Sequence, residues 1–475
     1  MKVRIAEVAR IVSFAEACRR AIGDQYVLDQ PDAIAPYTSD FWRHYHGRSS
    51  FVVRPGSTSE VAKVVTLANR FKVQLVVQGG NTGLVNGGIP DDSGRQVVLS
   101  LGRLNAIRVL DAQGDFVIAE AGCVLADIQR AALEAGRMFP LSLGAEGSCQ
   151  IGGNLATNAG GNNVLRYGST RDLVLGLEVV LPDGSILEGL RTLRKDNTGY
   201  DLKQLFIGSE GTLGVITAAA LRLVTAPRER VTLWLTVASA KAAVALFADF
   251  RSRFGDLISS FEMIHAKGVD LATTRLSGVR RPVEDTESPW HILVELGWTF
   301  DTGLKERAEE ALAGLFEDGL CVDGTLAESE QQRLNLWRVR EGQPEAAREV
   351  GTVVRTDVSV PISLIPELLN EVEQYVASLD AGVLFVPFGH VGDGNLHVNF
   401  VVPPAKAAEL GPRLLDHVFT EVTHMGGSIS AEHGVGRNKR LRLIRAKAGP
   451  PLQVMKRIKR TLDPARTLNA GIGLV

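Results

Sequence analysis

Two short glycine-rich stretches in the second half of this sequence carry more chemistry-bearing side chains than turns require. In PFGHVGDGNLHVNF, residues 387–400, His390 and His397 flank a Gly-Asp-Gly-Asn turn, and Asn399 follows His397 at strand spacing, on the same face. In SAEHGVGRNKR, residues 430–440, Glu432 and His433 stand side by side. Two imidazoles and a carboxylate are the donor types that hold a divalent cation, zinc among them, while leaving positions open for a substrate. The competing reading is of buried, hydrogen-bonded histidines, and four such groups in two short stretches weigh against it. The other histidines, His44, His46, His265, His291, His417 and His424, lack comparable company, and His44 and His46 read as surface residues.

The first half holds three glycine-dense loops beside short β-branched runs. In VVQGGNTGLVNGGIP, residues 76–90, Gly79, Gly80, Gly83, Gly87 and Gly88 surround Asn81, Thr82 and Leu84. Without side chains, and with positive φ accessible, successive main-chain N–H groups there can converge on an anion such as a pyrophosphate. No Gly-Lys-Ser/Thr follows, so the loop is not a P-loop, and it is not a clean GxGxxG dinucleotide fingerprint. The second loop, residues 140–163, runs through Pro140, Gly144, Ala145, Gly147, Ser148, Gly152, Gly153, Asn154, Thr157, Asn158, Gly160 and Gly161. The third holds Glu210, Gly211, Gly214 and Ile216. Small residues with uncharged hydrogen-bonding groups suit close approach to a flat ring that both donates and accepts.

These loops need strands and helices to aim them. Runs at 73–77, 97–101 and 116–120 read as strands, 173–181 and 186–190 as a pair around the Pro-Asp-Gly turn at 182–184, and 58–71 and 125–135 as helices. From about residue 226 single strands and helices alternate: 230–237, 241–254, 291–296, 304–316, 353–360, 364–379 and 382–387. That alternation predicts a sheet covered on one face. At 475 residues the chain exceeds one hydrophobic core. The basic stretch 440–460 reads as solvated helix faces around a Gly-Pro-Pro break.

Composition narrows the class. A formal net charge of −2 without long single-sign runs argues against a dedicated nucleic-acid binder. Cys18, Cys123, Cys149 and Cys321 are scattered, without a CxxC pair, which fits small buried residues in a reducing compartment. Residues 1–20 mix charges through their apolar positions, unlike a secretory signal, and nowhere do eighteen apolar residues run together. The expectation is a cytoplasmic protein with no membrane span.

The segments GAEGSCQIGGNLATNAGG and RYGSTRDLVLGLEVVLPDG, with the three loops, resemble the vanillyl-alcohol oxidase/p-cresol methylhydroxylase superfamily of flavoproteins. Within it, the chain is most similar to the D-lactate, glycolate and D-2-hydroxyglutarate dehydrogenase branch, from Tyr37 to the Asn469-Ala470-Gly471 turn. The resemblance implies an α+β fold: a PCMH-type FAD-binding domain of two subdomains (1–225, completed by 454–475) and an α+β substrate or cap domain with an antiparallel sheet (226–453). It implies a pyrophosphate on the 79–88 loop and Asn469 near the flavin. Residues 140–161 and 208–216 would line the rest of the cofactor. It implies His390, His397 and Glu432 as ligands of a zinc-like ion, His433 as the base, and Arg340 as the grip on the substrate carboxylate, with Asn399 beside it.

Arg355 stands where the D-2-hydroxyglutarate enzymes typically carry lysine, and Pro344 where they carry threonine. A second cation still favours a dicarboxylate such as D-2-hydroxyglutarate or D-malate over D-lactate. No histidine occurs between Gly47 and Ile264, so FAD is expected to be non-covalent; the lysine usual after the C-terminal turn is Ile472 here. Homodimerisation and an electron acceptor such as an electron-transferring flavoprotein or quinone are implied by resemblance alone. Open alternatives are a D-lactate or glycolate-type oxidase or dehydrogenase, and a non-catalytic subunit that only binds FAD. A nicotinamide enzyme is disfavoured because no strand–GxGxxG–helix unit with a following acid appears.

Overall fold

The computed structural model describes residues 2–379 and 381–473. Its chain forms two compact units: Met1–Gly161 with Ser169–Thr225 and Glu432–Val475, and Asn162–Gly168 with Ala226–Ala431.

The first unit contains two sheets of different kinds. In one, Gln74–Gln78 and Val52–Val53 each run parallel to Gln96–Ser100, and Val27–Leu28 adds antiparallel to Val52–Val53. The helix Thr58–Phe71 packs on this sheet. Ser57 caps it by accepting the Glu60 amide, and Lys72 ends it in the left-handed conformation. Its buried Val61, Val64, Val65 and Ala68 recur at helical spacing and join a core with Leu75, Val97 and Leu99. The second sheet is antiparallel, in the order Ile107–Asp111, Phe116–Glu120, Val215–Arg222, Val174–Val180, Ile186–Gly189. Its central strand, Val215–Arg222, is buried along all but its last residue, as a strand covered on both faces must be.

The tail closes the first sheet. Leu468 bridges Leu75 in parallel, Leu75 N donates to Thr467 O at 2.7 Å, and Asn469 N donates to Leu75 O at 2.8 Å. The basic stretch forms the helices Arg440–Ala446 and Pro450–Leu462, with Gly449 at φ 92 between them and Pro450 opening the second. Residues 432–453, expected with the substrate domain, belong to the first unit. Their main-chain amides hold them there: Val435 N and Gly436 N donate to the Glu210 carboxylate, and Arg437 N to Val85 O.

The second unit is built on seven antiparallel strands, in the order Gly324–Leu326, Glu229–Val237, Trp290–Trp298, Ile258–His265, Phe388–His390, Asn395–His397, Val358–Ser359. The expectation of a sheet covered on one face is corrected. Leu233, Leu235, Met263, Ile292 and Val294 face the helices Ala240–Phe254, Leu304–Glu317 and Ile365–Ser378. Alternate residues Trp234, Ile264 and Leu293 face Ala266–Arg275 and Glu330–Glu341. The strand expected at 353–360 also divides: Thr352–Val354 pairs with Phe400–Val402 in a three-stranded sheet, while Val358–Ser359 joins the large one. Between them, Thr356 Oγ1 donates to Val398 O and accepts Val398 N, so a side chain replaces ladder bonds.

Candidate active site

The chain leaves the Gln74–Gln78 strand into the glycine loop, which turns sharply because Asn81 adopts φ 57. The Asn81 amide side chain donates to Ser39 O (2.9 Å) and Pro36 O (3.2 Å), fixing the turn from outside. Gly80 packs so closely on the second loop that a Cβ would stand 2.4 Å from Ser148 O. Among the described residues, no protein acceptor is paired with the main-chain amides of Gly80, Asn81, Thr82 or Gly83. A run of unsatisfied amides on a concave backbone suits an anion.

The loop forms one wall of a cleft of about 1000 Å³, a volume that includes its mouth. Gly79, Gly80, Asn81, Thr82, Gly83, Gly87 and Gly88 line it, with Gly152, Gly153, Asn154 and Thr157 from the second loop. Glu210, Gly211, Gly214, Ile216, Asn469 and His433 complete it from the third loop and the tail. A Cβ at Gly83 or Gly153 would meet no protein atom within 4 Å, so the room these glycines leave belongs to the cleft. The glycine-rich lining and the run of unpaired loop amides suit a dinucleotide such as FAD.

Other expected cofactor residues, Leu84, Pro140, Gly144, Ala145, Gly147, Ser148, Asn158, Gly160 and Gly161, do not line the cleft. Several have structural work instead. Asn158 caps the helix Ile151–Thr157 at φ 50, and its Oδ1 accepts the Arg171 amide. Gly160 and Gly161 seat Glu432, whose Oε1 accepts Gly161 N at 2.6 Å. Gln78, Asn86, Cys149 and Gln150 line the cleft although reasoning centred on glycine passed over them. Each lies within three residues of a glycine pair, which was the available signal.

Glu210 and Asn469 do more than line the cleft. Asn469 Oδ1 accepts Val77 N (2.7 Å) and its Nδ2 donates to Glu210 O (2.6 Å), stitching the strand end to the third loop. The Glu210 carboxylate accepts Val435 N (2.6 Å) and Gly436 N (2.7 Å), just past His433. Burial pushes the Glu210 carboxyl above its ordinary value, against these two bonds and Lys439.

The second unit gathers its own cluster. Glu262, wholly buried on Ile258–His265, faces His390 directly in the sheet register. Its Oε1 lies 2.6 Å from His390 Nδ1, and its Oε2 accepts Arg340 Nε at 2.8 Å. Burial raises the Glu262 carboxyl, but the charges and hydrogen bonds of His390 and Arg340 outweigh it and hold it below the ordinary value. The Arg340 guanidinium also covers the Phe388 ring at 4.4 Å. His390 and His397 meet edge to face at 5.7 Å, with ring nitrogens within 4.8 Å of one another. A buried Asp357 oxygen lies within 4.8 Å of a His397 nitrogen.

Arg355 is partly buried, and burial and the Arg348 charge both push its guanidinium below its ordinary value. Asn399 falls outside the strand that ends at His397; its Oδ1 accepts Thr356 N at 3.1 Å. Pro344 sits in the first turn of the helix Gln343–Arg348. The remaining histidines have separate roles: His291 Nδ1 accepts the Trp234 indole, His265 caps a helix, His417 stacks on Tyr375, and His44 and His46 are exposed. All four cysteines are buried and free.

Residues 226–472 match the C-terminal domain of FAD linked oxidases, and residues 49–189 match an FAD binding domain. A probable mitochondrial D-2-hydroxyglutarate dehydrogenase of Oryza sativa subsp. japonica is 38% identical over 94% of this chain and 79% of its own length. The D-2-hydroxyglutarate dehydrogenase of Stutzerimonas stutzeri is 36% identical, over 94% of this chain and 95% of its own. Among solved structures, p-cresol methylhydroxylase with substrate bound superposes with a TM-score of 0.78 at 17% identity, covering 98% of this chain and 97% of that one. The expectation of a cytoplasmic protein is corrected by the relatives' names: those from plants, animals and fission yeast are called mitochondrial, although the bacterial one is not. Among the described residues, no helix is long and apolar enough to cross a membrane.

Proposed function

This chain belongs to the FAD-linked oxidases, in the branch of the D-2-hydroxyglutarate dehydrogenases, and from that premise we propose that it oxidises D-2-hydroxyglutarate or a close D-2-hydroxy dicarboxylate to the 2-oxo acid. It is an FAD-dependent hydroxyacid dehydrogenase. The observation that carries the reading is that His433 lines the same cleft as the glycine loop.

FAD in that cleft, bound without a covalent link, supplies the hydride acceptor. The glycine-loop amides bind its pyrophosphate, and the small residues of the second and third loops flank its rings. A neutral His433 accepts the substrate hydroxyl proton, a step worth roughly 10²–10⁴-fold when base and hydroxyl are in hydrogen-bond reach. Arg340 binds the C1 carboxylate and Arg355 the distal one, which favours dicarboxylates. On the sequence reading, His390, His397 and Glu432 hold a divalent ion, zinc by ligand type, which supplies Lewis acidity at the hydroxyl. Resemblance supports a homodimer that passes its electrons to an electron-transferring flavoprotein or a quinone.

The test is anaerobic bleaching of the purified protein's flavin by a panel of D- and L-2-hydroxy acids, before and after EDTA. Bleaching fastest with D-2-hydroxyglutarate and abolished by EDTA supports substrate, stereochemistry and metal together. Bleaching indifferent to EDTA removes the metal from the reading. No bleaching by any acid overturns the substrate class.

A further inference from the structure

Ile258–His265 is a central strand whose residues are all buried, and Glu262 is the one acid in it. Its neighbours Phe261, Met263 and Ile264 are core residues with at most 1% exposure. An ionised carboxylate in such a place is costly unless each oxygen is paired. Both are: Oε1 with His390 Nδ1 across the sheet, Oε2 with Arg340 Nε from the helix Glu330–Glu341. The antiparallel register sets Glu262 and His390 opposite one another, so the first pairing follows from the backbone. The second holds Arg340 over Phe388, whose ring lies 4.9 Å from that of His397.

We infer that Glu262 is a positioning residue that ties the metal-ligand imidazole of His390 to the substrate-binding guanidinium of Arg340. The inference rests on the reading above that His390 holds a divalent ion. A carboxylate can only accept, so the imidazole proton stands on Nδ1 and the Nε2 lone pair is left for the ion. The same carboxylate fixes the plane of the guanidinium through Nε, leaving its terminal nitrogens to serve a carboxylate ligand. One buried side chain thereby sets the orientation of two groups that act on the substrate, one through the ion and one directly. A change at either end is transmitted to the other through Glu262.

The test compares the purified, flavin-loaded wild type with Glu262→Gln and Arg340→Met. Retained flavin and an unchanged circular dichroism spectrum report folding, graded chelation followed by elemental analysis reports metal affinity, and steady-state kinetics separate KM from kcat. Glutamine is isosteric and still accepts from Nδ1–H through its one oxygen, but it cannot accept from both partners. Glu262→Gln is expected to weaken metal retention about 10- to 100-fold and to raise KM for the D-acid in the same variant. Arg340→Met is expected to weaken metal retention severalfold, although Arg340 is not a metal ligand; an arginine that only grips substrate leaves the metal untouched. A wild type that holds metal while both variants retain it equally overturns the inference and leaves the reading of His390 standing. A wild type with no bound metal overturns the reading of His390, and the inference with it. If Glu262→Gln does not fold, unchanged metal retention in Arg340→Met overturns the inference by itself.

Discussion

Glu210 holds the chain immediately beyond His433: its two carboxylate oxygens accept the amides of Val435 and Gly436 at 2.6 and 2.7 Å, and both Glu210 and His433 line the same cleft. The turn between them depends on Gly434 at φ +77, where a Cβ would stand 2.8 Å from Glu210 Oε1. The chain that carries His433 is therefore anchored by an acid that lines the same cleft. Glu210→Gln presents an NH2 group to one of the two amides and loses that bond, at about 1–3 kcal/mol for the buried group left unpaired. With His433 proposed as the base, the expected outcome is a protein that keeps FAD, melts at lower temperature and loses roughly tenfold or more in kcat, because small displacements of a base cost rate steeply. Unchanged kcat with normal melting sinks this account.

Gly160 is a seat for Glu432. A Cβ there would lie 2.4 Å from Glu432 Oε1, the far end of a flexible side chain, so the fold can yield by moving the carboxylate. Gly160→Ala should stay folded and flavin-bound while its metal retention under chelation falls about tenfold or more, measured by elemental analysis after dialysis. Full metal retention would show that Glu432 is not a ligand.

With Arg355 proposed to hold the distal carboxylate, substrate length should read out there. Charge-assisted hydrogen bonds contribute about 1.5–3 kcal/mol, so Arg355→Ala should lower kcat/KM for D-2-hydroxyglutarate by roughly 10- to 100-fold. The loss on D-lactate, which lacks the distal carboxylate, should stay within about threefold. Equal losses on both acids would place Arg355 elsewhere in the reaction.

Acid sensitivity has a definite sign. His265 and His291 are buried, and each Nδ1 already accepts a proton donor: the Lys267 amide at 3.2 Å and the Trp234 indole at 3.0 Å. Burial first, aided for His265 by Lys267 and for His291 by Arg281, holds both near pKa 4. The unfolded chain takes up these protons near pH 6.5, so the stability they protect is present above that value and drains away as pH falls toward 4. The loss should approach about 3 kcal/mol for each group. Urea unfolding followed by tryptophan fluorescence from pH 7 to 4 checks it. His265→Asn, which can still cap the helix, should remove about half of the pH dependence. A flat profile refutes the assignment.

Sequence patterns carried the local elements well where one period dominated. The helix 58–71 and the strand 116–120 were legible to the residue, the helix because its apolar residues Val61, Val64, Val65 and Ala68 recur at helical spacing. The second sheet was misjudged as one-faced. Its strands carry large apolar residues on both faces and are buried at nearly every position, so alternation, the signal that separates two faces, is blurred. The break at 355–357 was hidden because Thr356 exchanges hydrogen bonds with a residue 42 positions away. Glu210 was legible as a cleft residue by composition, but its hold on the turn after His433 was not, nor was the seating of Glu432 by Gly160 and Gly161, because both depend on non-local contacts. Glu262 was missed altogether, though a single acid inside the run ISSFEMIH was the mark that could have found it.

The parallel bridge between Leu75 and Leu468 bears on how the protein is made. Val77, at the mouth of the glycine loop, receives its side-chain partner Asn469 from 392 residues downstream. During synthesis the first sheet is complete long before that partner leaves the ribosome, so its Gln74–Gln78 edge remains an open template for mispairing in the interval. Closure of so distant a contact is slow, and FAD can meet a finished cleft only afterwards. Whatever binds the finished cleft then stabilises the closed arrangement by mass action.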